Sequence, residues 1–553
     1  MKRYIITFSL LLAGITAGAQ EWQDAYLFSQ NSYGGTARSI GLGNAMTALG
    51  GDPGSLTFNP AGSAVSSYSQ FEFTNGLSIS SAYSVGTIAD GDIDPIGFGD
   101  GTNATRVRYK VPNVGYIVNV PTGRRHGLKS TAFGFVMNST NDYTHRLNAA
   151  GVNQNNSFAA SLASSADGFA TDVMANEDWF YSGDATRMPS WIDMTGYRSG
   201  MISGVTGQDG TYIGLTEVMD GEGNFRLAAP IRQKYGRQTN GGKYDWIMNF
   251  SANWNDKFFL GANLGVTSLT YGMQEYWEEA PESIDEFPKI KYSNKDGSTT
   301  SATFEKLVMK RNFKLEGSGV YAKVGALWVP VPGIRLGAAI QTPTIMTVTE
   351  TYAYTGQSFL SDKTRLPVSS EEDYWGYDMT FPFRYNFGAA ISFGQVAILS
   401  LDYEGVNYAH ARFRAGSDNE FGLSSDFFTY QNDDIKTCLG KSHLFRAGVE
   451  FKPAAGLAIR TGYNYETSGI VYEGKGTSAV SFGLGYSSSG SFYADFSLRF
   501  RFLPDEYIIP YYYYYAPDPD KFYNKVVDDG VLTPEILVQS TVTDALFTVG
   551  WRF

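Results

Sequence analysis

The chain has 553 residues, 43 Lys and Arg against 55 Asp and Glu, and a formal net charge of -12, a balance that argues against nucleic acid, whose phosphates need clustered cations. A single cysteine, Cys438, excludes a disulfide framework and metal sites built on several thiolates. Hydrophobic residues reach 43% at a mean hydropathy of -0.22, which fits neither a helical membrane protein nor a charge-rich disordered chain, while 37 Tyr, 37 Phe and 62 Gly favour an all-β chain with aromatic girdles.

In chain order, Lys2 and Arg3 precede an apolar stretch over 5–13 and the small-residue run Ala17, Gly18, Ala19, which reads as an export signal covering 1–19. That stretch is shorter than the ~20 residues a spanning helix needs, and no uncharged apolar run of about 18 follows it. An exported membrane protein without such helices crosses with strands, so the expected fold is a transmembrane antiparallel β-barrel in the outer membrane of a Gram-negative cell. Residues 20–68 come next. They are rich in small residues (Gly34, Gly35, Gly41, Gly43, Asn44, Ala45), then hold Asp52-Pro53 and finally Asn59, Pro60, Ala61 and Gly62. Small residues suit tight packing, and Asn59-Pro60 reads as a turn. No Gly-Lys-Ser/Thr follows the glycines, which argues against a phosphate loop.

From residue 69 onward the chain alternates. Segments fit at 70–83, 110–120, 130–147, 244–254, 258–266, 320–328, 334–340, 385–393, 397–403, 445–451, 457–463, 480–486, 492–502 and 544–553. These make about fourteen strands, an even number as bacterial barrels require. Over 492–502, Phe492, Ala494, Phe496, Leu498, Phe500 and Phe502 alternate with Tyr493, Asp495, Ser497, Arg499 and Arg501, as expected of a lipid face opposite a polar lumen. Short links such as 255–257 and 453–456 take turns with long ones such as 148–242 and 412–440, placing periplasmic turns on one side and extracellular loops on the other. The longest loop, 148–242, carries an Ala/Ser/Asp-rich stretch at 157–174 that predicts a short helix capping the mouth. Asp90, Asp92 and Asp94 begin like a calcium loop, but Pro95 replaces its glycine and Gly101 its bidentate Glu, so a solvated loop is expected and no metal site. Tyr511 to Tyr515 read as an interfacial girdle. Phe547, Val549, Trp551 and Phe553 share one face and end in a free aromatic carboxyl terminus, and Trp551 and Phe553 are expected to serve as a barrel-insertion signal.

The run from Gly34 through Gly41, Gly43 and Asn44, followed by Asp52-Pro53 and Asn59-Pro60-Ala61-Gly62, resembles the FadL/TodX family of outer-membrane transport proteins. The resemblance implies that this segment folds into the lumen as a hatch, with Gly41, Gly43, Asn44, Asp52, Asn59, Pro60, Ala61 and Gly62 as gating positions. It further implies capture of a small hydrophobic or amphiphilic molecule such as a long-chain fatty acid, passive diffusion past the hatch, and exit through a gap in the wall. Which strand makes such a gap is not legible. The expected partners are that ligand, outer-membrane lipid and the barrel-insertion machinery; no cofactor is implied. An enzyme is not expected, because His126, His145, His410 and His443 sit in no nucleophile motif. The alternative is a FadL-like shuttle or scaffold barrel of a type IX protein secretion system.

Overall fold

A computed structural model describes residues 21–87, 97–176, 189–221, 223–293, 299–416, 424, 426–472, 474–511 and 533–553. The expected signal over 1–19, the acidic loop at Asp90 to Pro95 and Tyr512 to Tyr515 lie outside the described residues.

Fourteen strands form the wall. They are β1 (Gln70–Thr87), β2 (Thr102–Pro121), β3 (Leu128–Asp142, continued by His145–Asn153), β4 (Ile231–Trp254), β5 (Phe258–Pro281), β6 (Thr299–Trp328) and β7 (Ile334–Gln341, continued by Thr344–Leu360). Then come β8 (Asp373–Phe381, continued by Arg384–Phe393), β9 (Ala397–Asn407), β10 (Lys441–Phe451), β11 (Leu457–Glu466), β12 (Thr477–Ser487), β13 (Phe492–Phe502) and β14 (Glu535–Arg552). Each strand pairs antiparallel with the next, and β14 pairs with β1 from Gln70↔Arg552 to Thr87↔Glu535, so the sheet closes on itself. Every alternating segment of the sequence lies on one of these strands.

Alternation sorts the side chains. Phe133 and Phe135 on β3, Trp246, Met248 and Phe250 on β4, Leu260 and Leu264 on β5, and Phe482 and Leu484 on β12 face outward and are exposed, forming an apolar belt. Asn249 and Asn253 on β4, Asp495 and Arg499 on β13, and Asp544 and Thr548 on β14 face inward and are buried. A greasy outside around a polar inside is stable only in lipid, and no described helix is long and apolar enough to cross a membrane. The molecule is an outer-membrane β-barrel. Its short turns lie at one end; at 254–257, Asn255 and Asp256 both take φ 57° and Lys257 N–H closes on Trp254 O at 3.0 Å, the left-handed pair that a tight hairpin favours.

The loops differ from the sequence reading. Strands β4 to β7 run well past the belt because their upper residues keep pairing, so much of 148–242, 281–303 and 353–376 is sheet, with small hairpins at Lys289–Ser293 and Arg365–Ser369. Tyr511 is buried rather than a girdle residue, because its hydroxyl is held by Gln233 at 2.6 Å and Asn156 at 3.0 Å.

Candidate functional site

Residues 21–68 fill the lumen. Helix α1 (Trp22–Ser29) leads into a strap over 30–35, then α2 (Ala37–Gly41), and then two 3-10 turns, Pro53–Thr57 and Pro60–Val65. Each 3-10 turn starts on a short polar cap followed by proline: Asp52 accepts from Gly54 N–H at 2.8 Å, and Asn59 from Ala61 N–H at 3.0 Å. Gly43 and Asn44 take left-handed φ of 61° and 64°, which turns the chain after α2, and Asn44 Nδ2 donates to Tyr33 O at 3.2 Å. Gly41, Gly43, Asn44, Asp52, Asn59, Pro60, Ala61 and Gly62 therefore come together in one buried plug.

The plug meets the wall at a ring of glycines. A Cβ at Gly115 would strike Pro53, at Gly134 Leu56, at Gly261 Pro60, at Gly325 Asn59 and Pro60, and at Gly337 and Gly388 Thr47. On the far side, Gly448 abuts Leu42, Gly462 abuts Gly43, and Gly483 abuts Gly41. Nine wall strands thus bring bare backbone against the plug, too close at those points for a side chain. Polar groups complete the seal: Asn59 Nδ2 donates to Thr47 O at 2.8 Å and Ala326 O at 3.0 Å, Thr47 N–H donates to Asp402 at 2.7 Å, and Ala37 N–H donates to Thr548 at 2.8 Å.

Cations of the wall grip the plug by its carbonyls. Lys243 donates to Phe28 O at 2.7 Å and Gln30 O at 2.6 Å, Arg384 to Ser29 O at 2.6 Å, Arg499 to Tyr33 O at 2.7 Å, Arg335 to Leu49 O at 2.8 Å and Lys323 to Thr57 O at 2.6 Å. Buried acids hold two of these cations in place, Glu404 pairing with Arg384 and also with Arg446, and Asp544 with Arg499 and also with Lys110 and Arg501, while Glu450 pairs with Arg460 and with Arg38 of the plug. Such charges persist away from bulk water because each has a partner.

Above the ring the wall has a seam. The ladder between β2 and β3 runs from Pro121↔Ser130 only to Asn113↔Asn138, whereas β2 pairs with β1 as far as Thr102. Among the described residues, Thr102 to Pro112 form no ladder with β3, and an isolated bridge, Asp100↔Ala150, joins the two sides beyond. Two features break the pairing. Pro112 has no N–H to donate, and β3 is irregular between Ser139 and Asn141, where four consecutive residues, Asn138 to Asn141, are all buried. The outer half of β3 turns inward far enough for His145 Nε2 to lie 2.9 Å from Ser540 Oγ on β14. Side chains stitch the seam instead of backbone: Arg108 donates to Asp142 at 3.0 Å and Thr144 at 2.9 Å, and Arg106 to Thr239 O at 3.0 Å. Val107 and Tyr109 beside it are 59% and 62% exposed on the belt side. The strap lies behind. Ser32 N–H donates to Thr140 O and Gly34 N–H to Ser139 O, both at 2.8 Å, and Gly34 packs against Pro112 and Ser139.

Three helices, α3 (Phe158–Ala166), α4 (Thr171–Ala175) and α5 (Trp191–Arg198), pack with Tyr271 and Phe313 of the lumen in one buried cluster, so they lie over the outer end of the barrel. Phe158 stacks on Trp277 of β5 at 5.2 Å, and Phe158 N–H donates to Glu279 at 2.6 Å. Below them is a cavity of about 410 Å³, bounded by α1, α5 and β4 to β7. Cavities of about 700 and 740 Å³ lie at the turn end, on the other side of the plug. At that end Trp551 and Phe553 are exposed; Trp551 lies 6.4 Å from Phe71, and Phe553 N–H donates to Ser69 O at 3.0 Å.

With this geometry in place, neither a family model nor a curated protein matches the sequence. Solved structures do. The chain resembles the FadL/TodX channels. The toluene transporter TodX of Pseudomonas putida is 11% identical at a TM-score of 0.46, with 94% of this chain and 99% of that one covered. A FadL homologue of Pseudomonas aeruginosa is 11% identical at 0.48, covering 95% and 99%. The Ralstonia pickettii toluene transporter TbuX is 13% identical at 0.43, covering 94% and 98%. At such scores the likeness carries no argument by itself; the fourteen-strand closure rests on this chain's own ladders.

The sequence reading placed 20–68, strap included, in a hatch but did not locate the seam or the gripping cations. Pro112 inside an otherwise alternating strand was the available signal for the seam.

Proposed function

We propose that this barrel takes up small hydrophobic or amphiphilic molecules and releases them sideways into the membrane through the seam between β2 and β3. The observation that carries this reading is the position of the seam, on the outer side of the glycine ring, beside exposed Val107 and Tyr109 and backed by residues 32–34. A molecule that has entered the outer cavity needs to displace the strap, held on β3 by two backbone hydrogen bonds at Ser139 and Thr140 and at Gln30 O and Tyr33 O by Lys243, Arg499 and Asn44, whereas an axial path needs the whole plug to leave its ring. Lateral exit also suits the cargo, since an apolar chain gains ~0.8 kcal/mol per CH₂ by staying out of water. In this reading the plug acts as a hatch that diverts cargo, and passage is passive diffusion, with long-chain fatty acids among the molecules of suitable chemistry.

The test is native mass spectrometry with lipid extraction on protein taken from outer membranes in mild detergent, beside a variant lacking residues 34–62. A specific hydrophobic molecule on the intact protein, lost or changed by the deletion, is expected. A stoichiometric exported protein with no small ligand would overturn the reading in favour of a secretion shuttle.

A further inference from the structure

Resting on the reading of the barrel as a conduit for amphiphiles, we infer that the outer cavity is a head-group site selective for zwitterionic amphiphiles. Two charges meet there without full partners. Arg311 of β6 enters the cavity 3.6 Å from Glu275, but its Nε is buried with no hydrogen-bond acceptor. Asp24 of α1 accepts only from Glu21 N–H, at 3.2 Å, and among the described residues no cation lies within ion-pair distance of it. The other cation of the cavity, Arg237, is engaged by Glu506.

The signs of these groups decide the ligand. An anionic head would satisfy Arg311 but would face Asp24, Glu21 and Glu275; a cationic head would suit Asp24 and leave Arg311 Nε unmet. A neutral molecule brings a counter-charge to neither and at most a weaker acceptor to Arg311 Nε, whereas a buried donor left unmet costs about 1–3 kcal/mol. A head carrying an ammonium and a carboxylate or phosphate meets both, with the ammonium against Asp24 and the rings of Tyr271 and Tyr354 and the acceptor against Arg311. Met273 and Phe313 supply apolar wall for the start of the chain.

The test uses the full barrel in a neutral maltoside detergent and four dodecyl probes: N-dodecyl-N,N-dimethylglycine, dodecanoate, dodecyltrimethylammonium and dodecanol. Binding is followed by tryptophan fluorescence and calorimetry. The betaine is expected to bind at least about tenfold more tightly than the other three, and Arg311→Met and Asp24→Asn are each expected to remove about tenfold of that affinity while leaving dodecanol unchanged. Arg311→Lys, which keeps charge and lacks the Nε donor, should fall between, and heat-modifiable gel migration reports whether each variant has folded. Dodecanoate or dodecanol binding as tightly as the betaine, or folded variants that bind it normally, would overturn the inference. Transfer of dodecanol into vesicle lipid by the same preparations tests the conduit separately, so a failed head-group preference and a failed conduit give different results.

Discussion

Gly325 sets how closely the plug can approach the wall, because any side chain there meets Asn59 and Pro60. Gly325→Val should cost about 1–3 kcal/mol of plug docking by overpacking, and the loosened plug should raise single-channel conductance in planar bilayers. Gly490→Ala, whose Cβ would meet only Ser488 Oγ at 3.7 Å, should leave conductance unchanged. Asn59→Ala removes the donor to Thr47 O and Ala326 O together with the cap on Ala61 N–H, and should expose 34–62 to protease in the folded barrel, for a loss of about 1–3 kcal/mol. At this scale half of each contact was legible. Asn59 and Pro60 declare a turn by their own backbone preferences, whereas Gly325 and Gly261 look like ordinary strand glycines until the register of β5 and β6 brings them against Pro60.

Among the elements, the strap and β3 depend on each other. The strap donates Ser32 and Gly34 N–H to β3 and is held at its other end by Lys243, which binds Phe28 O and Gln30 O. Lys243→Met keeps length and removes both hydrogen bonds, so hydrogen exchange over 28–34 should speed up while the β4–β5 ladder keeps its protection. Unchanged exchange would mean that Ser32, Gly34 and the donors to Tyr33 O set the strap without Lys243. The strands themselves were legible because lipid outside and polar lumen inside impose a period of two on each of them. Their true lengths were not, since above the belt in β4 to β7 the inward face turns apolar, with Trp277, Leu307, Met309 and Phe313 packed under the cap, so the belt's apolar-out alternation no longer marks where pairing ends. The inward turn of β3 escaped for a related reason: Asn138 to Asn141 read as a polar stretch near a strand end, and only the missing β2 ladder shows that they leave the wall. For β14, the proposed insertion signal predicts that deleting Phe553 slows assembly, so that unfolded, heat-unmodified protein accumulates in pulse-chase; normal assembly would remove that role from it.

For the whole molecule, the outer cap is expected to loosen as the medium becomes less acidic. Glu217, in the hairpin of Glu217–Met219 with Phe225–Leu227, accepts Gly214 N–H at 2.8 Å, and burial pushes its carboxyl up to about 7, helped by the charge of Asp167. Asp193 on α5 is likewise raised by burial despite donors from Ser165 and Ser190, and Asp167 is raised by burial too. An acid raised in the folded state binds more protons folded than unfolded, so the stability it lends is greatest below its ordinary range. For Glu217 that stability falls as the pH climbs from about 4.5 to about 7 and changes no further above it. The cap should therefore be better protected at pH 5 than at pH 8 over 208–219, once exchange rates are corrected for intrinsic pH dependence, while the β1–β14 ladder stays equally protected at both. Glu217→Gln should abolish most of the difference by holding the site neutral throughout. A cap more protected at pH 8 would mean that Glu217 is ionised in the folded state and would overturn this pH dependence.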